Sequence, residues 1–211
     1  GLFGGGANDV LYGEDGNDFI RGNLGNDTIH GQRGADIIFG DEDNDIIYGE
    51  GDPDFIFGGA GADYIEGQTG SDYVFGDDGI IVYVDFFGDG SHKIIGLVGG
   101  VPDIHTVNDT VLDLFDSTIR ANDDRDPLES RSRTLDLLLT LVNGATDGED
   151  TVIGGEGDDI VLGGAKDDTI FGDLDPEQTL VGPVPAGKDI LFGDGGRVQF
   201  YGRRLDNVRT V

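Results

Sequence analysis

The segment Gly4-Gly-Gly-Ala-Asn-Asp9-Val-Leu11-Tyr12 opens a nine-residue pattern that repeats eight times without a gap and ends at Phe75. Every unit carries aspartate at its sixth position and an aliphatic residue at its eighth. The aspartates are Asp9, Asp18, Asp27, Asp36, Asp45, Asp54, Asp63 and Asp72. A fixed short period predicts a repeat architecture, because each unit can bury its apolar side only by stacking on its neighbours.

The two halves of each unit predict different local structures. Six glycine-rich residues suit a tight turn, because glycine tolerates positive φ, and the last three residues suit a very short strand. Two units then close one turn of a solenoid, so odd and even repeats form two parallel sheets with the eighth-position residues inward. Aspartate replaces the fourth-position glycine at Asp43 and Asp52 and is expected to keep its left-handed turn. A disordered tract, the alternative, has no need of an unbroken aliphatic register.

These residues resemble the hemolysin-type calcium-binding (RTX) repeat, Gly-Gly-x-Gly-x-Asp-x-U-x, in which U is a large aliphatic residue. The resemblance implies a calcium-loaded β-roll and export from a Gram-negative bacterium by type I secretion. The chemistry agrees with it, because stacked carboxylates repel one another and Ca²⁺ binds six to eight carboxylate and carbonyl oxygens. Each calcium site is expected to need aspartates two repeats apart, on the same edge of successive turns.

A second block of the pattern begins near Gly148 and contributes four more candidate ligands, Asp150, Asp159, Asp168 and Asp189. Within it the expected pairs are Asp150 with Asp168, and Asp159 with Glu177. The first block offers six pairs, from Asp9/Asp27 to Asp54/Asp72, so we expect about six to eight Ca²⁺ ions. The loop that starts at Gly76 is not expected to bind metal, because Ile81 occupies its sixth position.

The pattern and its breaks predict an all-β chain of parallel β-roll blocks interrupted by antiparallel hairpin or strand insertions. The expected divisions are a first roll (1–79), a hairpin and strand insertion (80–143), a shorter second roll (144–196) and the start of another hairpin (197–211). The stretch Ile80–Val98 is interpreted as a β-hairpin. An offset of 117 residues relates Phe75 to Phe192, each followed by Gly-Asp, which is typical of an array.

Aromatic side chains line the outer face of the even repeats, which a soluble protein would rarely leave in water. The face comprises Phe19, Phe39, Phe55, Phe57 and Phe75, among others. Two covers are available, the hairpin around residues 80–98 or a neighbouring copy of the chain. The second would make this face a surface for self-association.

The composition excludes several functions. A formal charge of −30 disfavours nucleic acid and anionic membranes as partners, and the chain has no cysteine and no run long enough for a transmembrane helix. None of His30, His92 and His105 belongs to a catalytic motif, so we do not expect an enzyme. The favoured function is a calcium-rigidified module of a large extracellular or bacterial cell-surface protein, of the adhesin, surface-layer or filament type. The alternative is the calcium-dependent folding and secretion domain of an exported protease, lipase or cytolysin.

Overall fold

A computed structural model of the chain describes residues 1–84, 92–98, 101–107, 135–141, 147–173, 187–194, 196–201 and 204–210. Side-chain surroundings are described for residues 1–79, 147–173 and 187–193. All regular structure in these segments is β-strand, and they contain no helix.

The strands fall into three sheets. The first sheet holds β1 (Leu2–Phe3), β3 (Phe19–Leu24), β5 (Ile37–Glu42), β7 (Phe55–Ala60), β9 (Tyr73–Phe75), β15 (Ile160–Gly164) and β17 (Ile190–Asp194). The second holds β2 (Val10–Tyr12), β4 (Thr28–Arg33), β6 (Ile46–Gly51), β8 (Tyr64–Thr69), β14 (Thr151–Glu156) and β16 (Thr169–Phe171). The third holds β10 (Gly79–Val84), β11 (His92–Val98), β12 (Val101–Val107), β13 (Leu135–Leu141), β18 (Gly196–Tyr201) and β19 (Arg204–Thr210).

The first two sheets form the predicted parallel β-solenoid, with about six turns. Even repeats pair with even repeats and odd with odd, so that Ile20 lies beside Ile38 and Ile38 beside Ile56. The eighth-position side chains meet between the sheets, and nine of them are fully buried, namely Ile20, Ile29, Ile38, Ile47, Ile56, Ile65, Val74, Val152 and Val161. Each such residue contributes roughly 1.5–3 kcal/mol by leaving water, which is why the eighth position is always aliphatic.

The turns use left-handed backbone at the second and fourth positions of the repeats. Asp43 and Asp52 have φ values of 76° and 70°, as predicted for aspartate in place of the fourth-position glycine. At Gly25, Gly34 and Gly61 glycine is needed for space as well as conformation. An ideal Cβ on Gly25, whose φ is 110°, would lie 2.7 Å from the carbonyl carbon of Ala7 in the preceding turn. The turns therefore stack backbone on backbone.

The second block of repeats continues the first instead of forming a separate roll. Strand β15 pairs in parallel with β9, and β14 pairs with β8, so Val161 lies beside Val74 and Val152 beside Ile65. The two sheets therefore run through both blocks, and the chain leaves the roll after β9 and rejoins it at β14. The boundaries expected near residues 80, 144 and 197 stay predictions, but the two blocks share one solenoid.

Strands outside the roll pair antiparallel in the third sheet, in the order β12-β11-β10-β13-β18-β19. Strands β10 and β11 pair across the predicted hairpin, with Ile81 opposite Ile95. The apolar run at residues 134–142 predicts a strand, which is β13, whereas β12 was not anticipated. The apolar run at residues 107–119 fits either a strand or a helix by its pattern, and beyond Val107 it lies outside the described residues.

The aromatic outer face of the even repeats is covered within a single chain. Phe39, Phe57 and Phe75 are fully buried, and their rings stack with centroids 4.9 Å apart. Phe55 is 8% exposed and Phe19 is half-buried, and β11 of the third sheet approaches β7. Self-association through this face is therefore not shown, because a second copy could reach the buried rings only by displacing the chain that covers them.

Candidate metal centre

The twelve sixth-position aspartates form two ladders along the edges of the roll. The odd ladder is Asp9, Asp27, Asp45, Asp63, Asp150 and Asp168, and the even ladder is Asp18, Asp36, Asp54, Asp72, Asp159 and Asp189. At every step the backbone N–H of one aspartate donates to Oδ1 of the next, over 2.7–3.2 Å, giving five bonds in each ladder. The structure thus brings together all twelve residues that the sequence singled out.

Eight of the ladder aspartates have a second carboxylate oxygen that is buried and has no hydrogen-bond partner among the described residues. This holds for Oδ2 of Asp27, Asp36, Asp45, Asp54, Asp63, Asp72, Asp150 and Asp159. Leaving a charged oxygen buried and unpaired is costly, so such a row needs an explanation. A cation beside each Oδ2 supplies one.

First-position glycines leave an oxygen-lined space next to these carboxylates. An ideal Cβ on Gly31 would lie 2.7 Å from Oδ2 of Asp36 and 2.7 Å from the carbonyl oxygen of Gly49. On Gly49 the corresponding distances are 2.6 Å to Asp54 Oδ2 and 2.8 Å to the carbonyl of Gly67. Neither glycine has a positive φ, so the first position requires glycine for space alone. A carboxylate and a carbonyl oxygen facing one cleft are the donors that Ca²⁺ prefers.

Burial raises the pKa of the most deeply placed ladder carboxyls. The pKa rises to about 9 for Asp54 and Asp63 and to about 8 for Asp45 and Asp150, with desolvation as the largest cause. The backbone N–H bond to each carboxylate lowers the pKa, and the neighbouring ladder aspartates raise it again. Without a bound cation these four carboxyls therefore favour protons at neutral pH, whereas a divalent cation would hold the same carboxylates ionised.

A buried aspartate outside the ladders shows the contrast. Asp41 is 2% exposed, and the guanidinium of Arg21 donates to both of its oxygens, from Nε at 2.8 Å and Nη2 at 3.0 Å. The backbone N–H of Asn23 adds a third bond. Asp41 is thus satisfied by protein donors, while the ladder carboxylates keep one oxygen for something else.

The insertions hide some ladder contacts from sequence spacing. The backbone N–H of Asp63 donates to Oδ1 of Asp150, 87 residues later, and that of Asp159 donates to Oδ1 of Asp189, 30 residues later. The expected partner of Asp159, Glu177, lies outside the described residues. The expectation that the Gly76 loop lacks a sixth-position ligand is wrong, because Asp150 Oδ2 lies beside Gly76 just as Asp54 Oδ2 lies beside Gly49. The sequence signal for this ligand is Gly148-Glu149-Asp150, where the repeat pattern resumes.

No group of three or more acidic or histidine side chains that could hold a metal ion occurs in the part of the chain that the structure describes. A cation between turns would therefore take most of its ligands from backbone carbonyls. This donor set agrees with the glycine-lined clefts and with the hard-oxygen preference of calcium.

Comparison with protein-family models finds the RTX calcium-binding nonapeptide repeat, in four copies at residues 2–29, 21–56, 48–80 and 144–175. The matches cover more than half of the chain. The chain belongs to this family. RTX repeats bind calcium, so Ca²⁺ is the cation that the clefts would hold. The matched segments stop and resume where the chain leaves and rejoins the roll.

No curated protein sequence matches the chain. A membrane-crossing helix would have to be both long and apolar, and the described residues contain none.

Proposed function

We propose that this chain is a calcium-binding structural module of a large secreted or cell-surface bacterial repeat protein, of the adhesin, surface-layer or filament type. One observation carries the proposal: two ladders of aspartates run the length of the roll, and eight of their members offer a buried Oδ2 without a hydrogen-bond partner among the described residues to a glycine-lined cleft. A row of this kind serves the whole length of the roll equally. It suits mechanical reinforcement better than chemistry at one point.

Calcium would act by completing the fold. The metal-free chain has a formal charge of −30 and 39 glycines, so charge repulsion and lost backbone entropy both oppose a compact state. A cation at each of the ten ladder steps would supply about +20 and convert binding free energy into folding free energy. Extracellular calcium modules bind at roughly 10⁻⁴–10⁻³ M, so the chain would stay unfolded in a cytosol and fold outside the cell.

The third sheet supports the array form of the proposal. Its strands β10 and β18 begin at Gly79 and Gly196, which are 117 residues apart and follow matching Gly-Asp dipeptides. A folding and secretion domain of an exported enzyme or toxin would need the calcium roll but not strands that recur after 117 residues and join a third sheet. The neighbouring sequence separates the two functions, because further modules favour the array and a catalytic motif favours the enzyme.

A calcium titration followed by far-UV circular dichroism tests the proposal. The β-sheet signal should appear cooperatively as Ca²⁺ replaces chelator, and calorimetry should give a stoichiometry near the number of ladder steps. Magnesium is the control cation, because its smaller octahedral shell fits carbonyl clefts poorly. A full β-sheet spectrum in excess chelator at neutral pH contradicts the proposal.

A further inference from the structure

The ninth repeat is assembled from two segments that are far apart in the sequence. Gly76 and Asp77 take its first two positions, and Gly148 takes its fourth, stacked on Gly61, the fourth-position glycine two repeats earlier. Asp150 then supplies the sixth position. Seventy residues thus stand where other repeats have a single third-position residue.

The Asp77 carboxylate joins the two segments. Its Oδ1 accepts the backbone N–H of Gly148 over 3.1 Å, and its Oδ2 accepts that of Ala165, in the next turn, over 2.6 Å. Asp77 is 1% exposed. It therefore links the point where the chain leaves the roll with the point where it returns.

The twelfth repeat is split in the same way. Gly172 and Asp173 precede the break, and Gly187 follows it, stacked on the fourth-position Gly157. Asp173 Oδ1 accepts the N–H of Gly187 over 2.8 Å, and Oδ2 of Asp189 lies beside Gly172. Here 13 residues replace the third position. The same arrangement at two breaks, one in each ladder, marks a recurring device.

Carboxylates concentrate at the first break. Asp78 and Asp147 are 4% and 3% exposed, beside the buried Asp77. Independently of these, Oδ2 of Asp63 and of Asp150 are buried without a hydrogen-bond partner among the described residues, and Asp150 Oδ2 points into the cleft at Gly76. A cation between the departing and returning segments would offset the repulsion among those of these groups that are ionised.

We propose that the ninth repeat is a composite calcium site, in which an ion bound between the Gly76 cleft and Asp150 fastens both ends of the intervening segment to the roll. Asp77 is the positioning residue, because it aligns the returning backbone through Gly148. This inference rests on the proposed function and goes beyond it. Calcium at a continuous repeat stiffens a turn, whereas calcium here closes a 70-residue excursion.

Hydrogen–deuterium exchange of the intact chain during a Ca²⁺ titration provides the test. Peptides covering 76–84 and 147–153 should become protected at the same calcium concentration, because the site exists only when both segments are present. Protection of 76–84 at a calcium concentration where 147–153 still exchanges freely would overturn the proposal. Protection throughout the roll in chelator would instead refute the proposed function, so the two failures are distinguishable.

Two variants sharpen the measurement. Asp150→Asn should raise the calcium concentration needed to protect both peptides by about tenfold, the effect of losing one charged ligand bond. Asp45→Asn, in the same ladder but in a continuous repeat, is the matched control. It should change the calcium dependence of exchange protection in the turns around residue 45. If Asp150→Asn exposes only 147–153, the composite site is wrong.

The role of Asp77 is tested by a graded pair. Asp77→Ala removes both accepted bonds and should raise the calcium midpoint of both peptides about tenfold, whereas Asp77→Asn keeps one acceptor oxygen and should shift it less. Equal shifts for the two variants would mean that the charge of Asp77 matters and its alignment of Gly148 does not, which contradicts a positioning role.

Discussion

The substitution Asp54→Asn should change the stability of the protein in opposite directions with and without calcium. Asp54 is fully buried; its Oδ1 accepts the N–H of Asp36 over 2.8 Å, and its Oδ2 has no hydrogen-bond partner among the described residues. Asparagine keeps the accepting oxygen and places an NH₂ group near the carbonyl of Gly67. The neutral side chain therefore fits the metal-free roll, but it cannot serve as an anionic ligand.

The magnitude follows from the pKa of Asp54, which burial raises from 3.8 to about 9. At pH 7 this carboxyl is ionised in the unfolded chain but must take up a proton when the metal-free chain folds. That proton uptake lowers the free energy of unfolding by on the order of 4 kcal/mol. Asp54→Asn should recover much of that free energy in chelator. In calcium it should instead weaken the two ladder steps that Asp54 shares with Asp36 and Asp72.

Trimethylamine oxide can drive folding of the metal-free chain, because this osmolyte favours burial. In chelator, far-UV circular dichroism should show Asp54→Asn folding at a lower osmolyte concentration than wild type. In calcium, its thermal midpoint should fall below wild type. Asp52→Asn removes the same charge from an exposed fourth-position residue and is the matched control. A loss of stability in both conditions would refute the reasoning, because Asp54 would then be a structural hydrogen-bonding group and no cation ligand.

Three further outcomes are expected. In chelator the chain should lose β-structure as pH rises from about 4 toward 9. The reason is that folded carboxyls such as Asp63, with a pKa of about 9, hold protons that the unfolded chain releases. A β-sheet dichroism signal that grows with pH would contradict this. With calcium present, β-structure should instead be lost as pH falls into the acid range, because protons displace the ion from the carboxylates. Phe57→Ala should lower the free energy of unfolding by about 3–5 kcal/mol in urea, whereas Phe3→Ala, in the same column but 61% exposed, should change it little. Gly49→Ala should lower the calorimetric calcium stoichiometry because its Cβ fills a cleft, while Gly6→Ala, with nothing within 4 Å, should leave it unchanged; equal effects would mean the clefts hold no ion.

The roll could be predicted from sequence because its decisive interactions recur at a constant separation. Asp36 meets Asp54, and Ile38 meets Ile56, at 18 residues, two repeats apart. The nine-residue pattern in its two blocks identified the twelve ladder aspartates, and the spacing of two repeats predicted the two-sheet arrangement. Left-handed turns at Asp43 followed from the conformational preference of one residue type.

The contacts across the breaks could not be predicted, because an insertion changes sequence separation without changing spatial position. Asp63 and Asp150 are as close as any ladder pair, but 87 residues separate them. Read contiguously, the Gly76 loop ends in Ile81 at its sixth position and looks unable to bind metal. Hydrogen bonding by Asp77 was equally invisible, since its partners Gly148 and Ala165 follow the break.

The position of the breaks has a physical reason. An insertion at positions seven to nine would interrupt the parallel pairing of the roll on both sides, whereas an insertion at the third position only shortens the preceding strand, to the three residues of β9 and β16 from the six of β3. A carboxylate at the second position can then hold the returning glycine, as Asp77 and Asp173 do. Because that bond closes the gap locally, the inserted length is free to be 70 residues in one repeat and 13 in another. The inserted segments can thus contribute strands to the third sheet while the two aspartate ladders of the roll remain continuous.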